Sequence, residues 1–86
     1  VSKGALLVDV RSPVMFRDDP ITGAVNLPLR NLVNSLTVRK GASPKLNNVV
    51  LFSTNKEDED ITYGVKYAEN LGFNVFVTET QNLKAK

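Results

Sequence analysis

The chain has 86 residues, 42% of them hydrophobic, a formal net charge of +2, and neither cysteine nor histidine. That length suits one small domain, 1–86, which buries only about 60–65% of the surface its unfolded chain exposes. The composition excludes disulfides, thiolate metal sites and cysteine nucleophiles, argues against zinc, and removes the usual general base near neutral pH.

A run of about 18 apolar residues, the minimum for a membrane helix, is missing. The net charge is too small to argue for nucleic acid. The expectation is therefore a chain without nucleic-acid or membrane partners, without a cofactor, and cytosolic by default. No signal peptide is visible at Val1, and the chain does not open on Met, which fits a piece of something longer. Charge is unevenly spread. Four of the nine acidic residues are Glu57, Asp58, Glu59 and Asp60. Basic residues gather at Arg39, Lys40 and Lys45, read as one loop, and at Lys84 and Lys86 in the tail.

Residues 5–10, ALLVDV, are apolar nearly throughout, as strands buried on both faces are. Ser12 and Pro13 then open a short helix, as N-cap and first helical residue. Val14, Met15 and Phe16 supply its expected apolar face, and Asp18-Asp19-Pro20 ends it. Gly23 marks a turn into a short strand at 24–27, closed by Pro28. Leu29, Leu32, Val33 and Leu36 repeat at helical spacing, so 29–36 reads as an amphipathic helix. Residues 37–47, with Gly41, Ser43, Pro44 and Asn47, read as a loop.

The next stretch organises the chain. NVVLFS at 48–53 has the length and composition of a buried strand. A polar loop follows, TNKEDED at 54–60. Ile61, Val65, Ala68 and Leu71 then line one helix face. Gly72 stands where a helix C-terminal glycine belongs, with Phe73 placed to pack back on the last turn. Residues 74–78 form a fourth strand, and 79–86 are polar and weakly helical. Strands alternating with helices imply parallel pairing through crossovers.

The residues narrow this further. Leu7-Val8-Asp9-Val10-Arg11, Phe16, Ile21, Gly23-Ala24-Val25-Asn26-Leu27-Pro28 and Leu32 together resemble the opening signature of the rhodanese homology domain. That signature reads L-I-D-V-R, then E-F, G-H-I-P-G-A, N-I-P and a leucine, and the spacing from Asp9 to Pro28 is kept without a gap. Val49–Phe52, the following helix and Leu71-Gly72-Phe73-Asn74-Val75 resemble the second half, so the likeness spans about residues 5–78. It implies a small three-layer α/β fold: a mostly parallel sheet of about four to five strands with helices on both faces. It also implies structural roles for Asp9, holding the neighbouring loop, and for Arg11, in an ion pair.

The departures matter as much. Met15 replaces the acid expected to pair with Arg11, Asp19 and Pro20 replace Gly-His, and Thr22 replaces a proline. The family's nucleophilic cysteine falls at Ser53. Its anion-wrapping loop corresponds to Ser53, Thr54, Asn55, Lys56, Glu57, Asp58, Glu59 and Asp60, here without glycine or arginine and two residues longer than usual. The N-terminal strand and helix often seen before L-I-D-V-R are absent.

A serine hydroxyl cannot carry the persulfide on which sulfur transfer depends. With no histidine to act as base, Ser53 reads as a strand-end hydroxyl bonded to loop backbone. Asp58 or Asp60 fits as helix N-cap. Each carboxylate is favourable at a helix N-terminus by roughly 0.3–1 kcal/mol. An incoming anion about 4 Å from one of them meets repulsion on the order of 1–4 kcal/mol. The loop is therefore expected to reject anionic substrates. Contiguous acids without a glycine do not match a calcium loop.

Three functions remain in play. The first is a non-catalytic rhodanese-like module for protein interaction or regulation, using the acidic loop and the Arg39–Lys40–Lys45 cluster as contact surfaces. The second is a sulfurtransferase-family enzyme with a replaced nucleophile. The third is the inactive half of a larger rhodanese-containing protein.

Overall fold

A computed structural model describes residues 5–43, 45–55 and 57–84. Residues 1–4, Pro44, Lys56, Ala85 and Lys86 lie outside the described residues, as does the Lys84 side chain.

Four strands form one sheet: β1 (Ala5–Asp9), β2 (Val25–Asn26), β3 (Asn48–Ser53) and β4 (Asn74–Glu79). Their order across the sheet is β2-β1-β3-β4, and every pairing is parallel. Ala5 lies beside Asn48 and Asp9 beside Phe52, while Asn48 lies beside Asn74 and Ser53 beside Glu79. The helices are α1 (Pro13–Asp18), α2 (Leu29–Ala42), α3 (Glu59–Asn70) and α4 (Thr80–Lys84). The expected α/β architecture is thus present, with four strands.

Strand alternation divides the core between two faces. Val8, Val10, Val49 and Leu51 point to one side, where they pack with Leu32 and Leu36 of α2 and Ile61 and Ala68 of α3. Leu7 and Phe52 point to the other, with Ile21 and the half-buried Leu83 of α4. The first face carries most of the buried apolar area, because two full helices cover it.

Gly64 explains how closely α3 lies on the sheet. A Cβ there would sit 3.1 Å from Leu51 Cδ1 and 3.3 Å from Leu32 Cδ2, tighter than ordinary contact. Behind it, α3 ends in a Schellman turn. Phe73 N–H donates to Ala68 O at 3.1 Å, Gly72 N–H donates to Glu69 O at 3.0 Å, and Gly72 takes φ +95°.

Two expectations need correction. The first is α1, whose Ser12 cap forms as expected, with Oγ accepting from Met15 N–H at 3.3 Å. Its apolar side chains do not enter the core: Val14 and Met15 are exposed and Phe16 is half-buried. A helix of 6 residues standing beyond the strand ends reaches no sheet face. The second is α2, which runs on to Ala42, so Arg39 and Lys40 are helical and only Lys45 lies in a loop. Physically, cations in a last turn complement the helix dipole. Ser43 N–H closes the turn on Arg39 O at 2.9 Å, and Lys40 Nζ sits 4.5 Å from the centroid of the Phe73 ring. The apolar period stops at Leu36 because this last stretch stands clear of the core, leaving Val38 70% exposed.

Candidate functional site

In a parallel sheet the crevice at the carboxyl ends of the strands is where ligands bind. Here that edge is formed by Asp9, Ser53 and Glu79, with the loop into α3 above it. Ser53 closes β3 and is only 2% exposed.

Among the described residues the Ser53 hydroxyl bonds to a side chain and not to loop backbone, which the sequence suggested. Its Oγ donates to Asp58 Oδ2 at 3.1 Å. The loop geometry explains this. Asn55 turns the chain, with its Oδ1 accepting Glu57 N–H at 2.9 Å and its carbonyl accepting Asp58 N–H at 3.0 Å. That places Asp58 as N-cap of α3, where Oδ1 accepts Asp60 N–H at 3.0 Å. Asp58 O accepts Ile61 N–H at 3.0 Å and Thr62 N–H at 3.3 Å. One carboxylate therefore serves two ends, holding the first turn of α3 and the last hydroxyl of β3. Amides that would otherwise face an anion are taken up within the loop. Glu57 and Glu59 are exposed around this centre, and Asp60 is half-buried.

Chemically, the arrangement gives the Ser53 hydroxyl one carboxylate acceptor within hydrogen-bond reach, a far weaker base than the histidine that usually accompanies a serine nucleophile. Among the described residues no cluster of three or more carboxylate, histidine or cysteine ligands is placed to hold a metal ion.

Asp9, the last residue of β1, and Arg11 just beyond it form a buried pair. Arg11 Nη2 and Nε donate to Asp9 Oδ2 and Oδ1 at 2.8 and 3.0 Å, and the Arg11 backbone N–H donates to Oδ1 at 2.8 Å. The two side chains are 3% and 0% exposed. Arg11 does not lack for partners despite Met15. Its Nη2 also donates to Asp19 O at 2.8 Å, and its Nη1 lies 3.4 Å from Asp19 Oδ2. The Asp9 hydrogen bonds outweigh burial and raise the Arg11 pKa above its ordinary value. The guanidinium stands 5.8 Å from the centroid of the Phe52 ring.

Two contributors were missed at the sequence level. Asp19 gains its role only because α1 folds back towards Arg11. Asn26 Nδ2 donates to Asp9 O at 3.0 Å and to Arg11 O at 2.8 Å, fixing the backbone between them. A lone amide inside the apolar run Ala24-Val25-Asn26-Leu27 was the available signal.

The cluster of Arg39, Lys40 and Lys45 lies away from this edge. Arg39 and Lys40 lie in the last turn of α2 and Lys45 precedes β3, at the amino ends of the strands. Two surface concavities also lie at that end, one lined by Ser35, Val38 and Arg39, the other by Ala5, Asn48 and Phe76. The acidic and basic clusters thus occupy opposite ends of the molecule rather than one surface.

No protein-family model and no curated protein sequence matches the chain. Among solved structures it matches the crystal structure of the Saccharomyces cerevisiae single domain sulfurtransferase RDL2, with a TM-score of 0.70 and 17% identity. The alignment covers 98% of this chain and 76% of that one. The fold is therefore that of a rhodanese-like sulfurtransferase domain.

Proposed function

We propose that this chain is a non-catalytic rhodanese-like module, whose acidic β3–α3 loop is a contact surface for a protein partner. The observation that carries this reading is the Asp58 carboxylate, seated on the Ser53 hydroxyl and on the first turn of α3. It occupies the position from which an anion would be held, in a chain with no thiol to receive sulfur. Glu57 and Glu59 then present negative charge outward from a loop braced by Asn55 and Asp58. A partner with a basic patch fits that surface, with charge steering the encounter.

Two measurements test this. Thiosulfate-to-cyanide sulfur transfer should not exceed the buffer blank, and turnover abolished by Ser53→Ala would refute the non-catalytic reading. Pull-down with the Glu57→Lys, Glu59→Lys double variant should lose a partner that the parent retains. An unchanged partner profile would refute the contact surface.

A further inference from the structure

Residues 12–20, which carry α1, join the domain at their two ends and hardly at all between them. From Ser12 to Pro20 every residue is exposed except Phe16 and Asp19, which are half-buried. Among the described residues Phe16 is outside both core clusters. The flanking residues are fixtures. Arg11 is buried and bonded to Asp9 at the end of β1, and Ile21 is buried against Leu7 and Phe52.

A helix of 6 residues is too short to be stable alone, so α1 depends on its local ties. Ser12 Oγ accepts Met15 N–H, Ser12 O accepts Phe16 N–H at 3.0 Å, and Met15 O accepts Asp19 N–H at 2.9 Å. The hydrogen bonds described between this segment and the rest of the chain meet at one residue, Asp19. Its carbonyl and carboxylate accept from the outer nitrogens of Arg11. The bonds that seat Arg11 on Asp9 use Nε, Nη2 and the backbone N–H, and none of them needs α1. Pro13 and Pro20 bracket the helix, and a proline has no N–H whose bond would be lost at a hinge.

We propose that residues 12–20 are a hinged flap, latched by Asp19 on Arg11, that opens as one unit while the sheet stays folded. No buried side chain has to leave the core, and the freed residues regain conformational entropy. Opening turns the outer nitrogens of Arg11 towards water at the carboxyl edge of the sheet. The flap thus gates access to a buried cation there, on the timescale of local unfolding. The inference is independent of the reading of the Ser53 loop.

Native-state hydrogen exchange on the whole chain, read by NMR at increasing urea below the unfolding transition, tests it. The amides of Phe16 and Asp19 report the flap. Those of Val10, which donates to Phe52 O, and Leu27, which donates to Asp9 O, report the sheet on either side of it. Corrected for intrinsic rates, the flap amides should exchange at least about tenfold faster than the sheet amides. Their rates should be alike and flat with urea, while the Val10 and Leu27 rates climb with it. Ser12→Ala should speed the flap amides by about two- to thirtyfold, the range expected for losing an N-cap. Asp19→Ala, which removes the carboxylate half of the latch, should speed them too. Flap and sheet amides with one common urea dependence would overturn the proposal, because α1 would then open only with the whole molecule. A further segment of chain clamped over α1 would give that same result. Flap amides indifferent to both substitutions would overturn it as well.

Discussion

Replacing Ser53 with cysteine supplies the missing sulfur, and the surroundings determine what that sulfur can do. In the parent, Ser53 Oγ lies 3.1 Å from Asp58 Oδ2, so a thiolate in its place would stand against a carboxylate. Two like charges about 4 Å apart repel by about 1 kcal/mol in water and about 4 kcal/mol at an effective dielectric near that of a protein surface. Each pKa unit corresponds to about 1.4 kcal/mol, so Asp58 alone should raise the thiol by about 1–3 units. Asp58 is exposed, which favours the lower part of that range. The N-terminus of α3 pulls the other way, by less than about one unit. The Ser53→Cys thiol should therefore titrate above its ordinary value of about 8.5 and be mostly protonated at neutral pH. Adding Asp58→Asn should bring it to that value or below, since helix N-termini favour thiolates. Thiolate absorbance in the ultraviolet reads the titration directly, with no other cysteine to confuse it. A single variant titrating at or below about 8.5, unmoved by Asp58→Asn, would refute the account of the loop as self-occupied by negative charge.

The buried pair offers a second test: Arg11→Met leaves Asp9 charged and unpaired, and should lower stability by about 3–5 kcal/mol in urea unfolding, with Asp9→Asn in the same chain recovering part of the loss. The pH dependence of that pair has a definite sign. Because the Arg11 pKa is raised in the folded state, its contribution is complete below the ordinary arginine range and is lost only as pH climbs through the raised value. The Arg11→Met destabilisation should not shrink between neutral pH and about pH 10. Asp58→Ala removes both the α3 cap and the partner of a buried hydroxyl, at a cost of about 1–3 kcal/mol by thermal or urea unfolding. Gly72→Ala forces a left-handed backbone on a residue with a Cβ and should cost about 1–2 kcal/mol, although only Lys40 atoms at 3.7 Å lie near the added carbon.

Local signals in the sequence located most of the architecture. The boundaries of β3, the cap at Ser12 and the Gly72–Phe73 stop of α3 each depend on a few neighbouring residues, and all were legible. The length of α2 was not. Thr37, Val38 and Gly41 are indifferent or poor helix formers, and what holds them helical is partly tertiary, through Lys40 on the Phe73 ring. The same distinction applies at the site. An acidic cap before the amphipathic run was legible as Asp58 or Asp60, and the structure selects Asp58. Its grip on Ser53 depends on how Asn55 turns the loop, and no sequence spacing encodes that turn. Gly64 likewise reads as an ordinary weak helix position until Leu51 and Leu32 are seen pressing on it.

The all-parallel ladder has a consequence for how the chain reaches its native state. No strand can pair with its sequence neighbour through a tight hairpin, because each pairing must wait for a helical crossover to close. The central ladder joins Ala5 to Asn48, and β4 adds only after a further crossover. Loop-closure entropy is therefore spent before the main contacts return anything, so refolding should be slow for a chain of this size. During that interval the bare flanks of β1 and β3 are exposed to other chains, and crowded refolding, rather than loss of native contacts, is where this protein is most prone to aggregate.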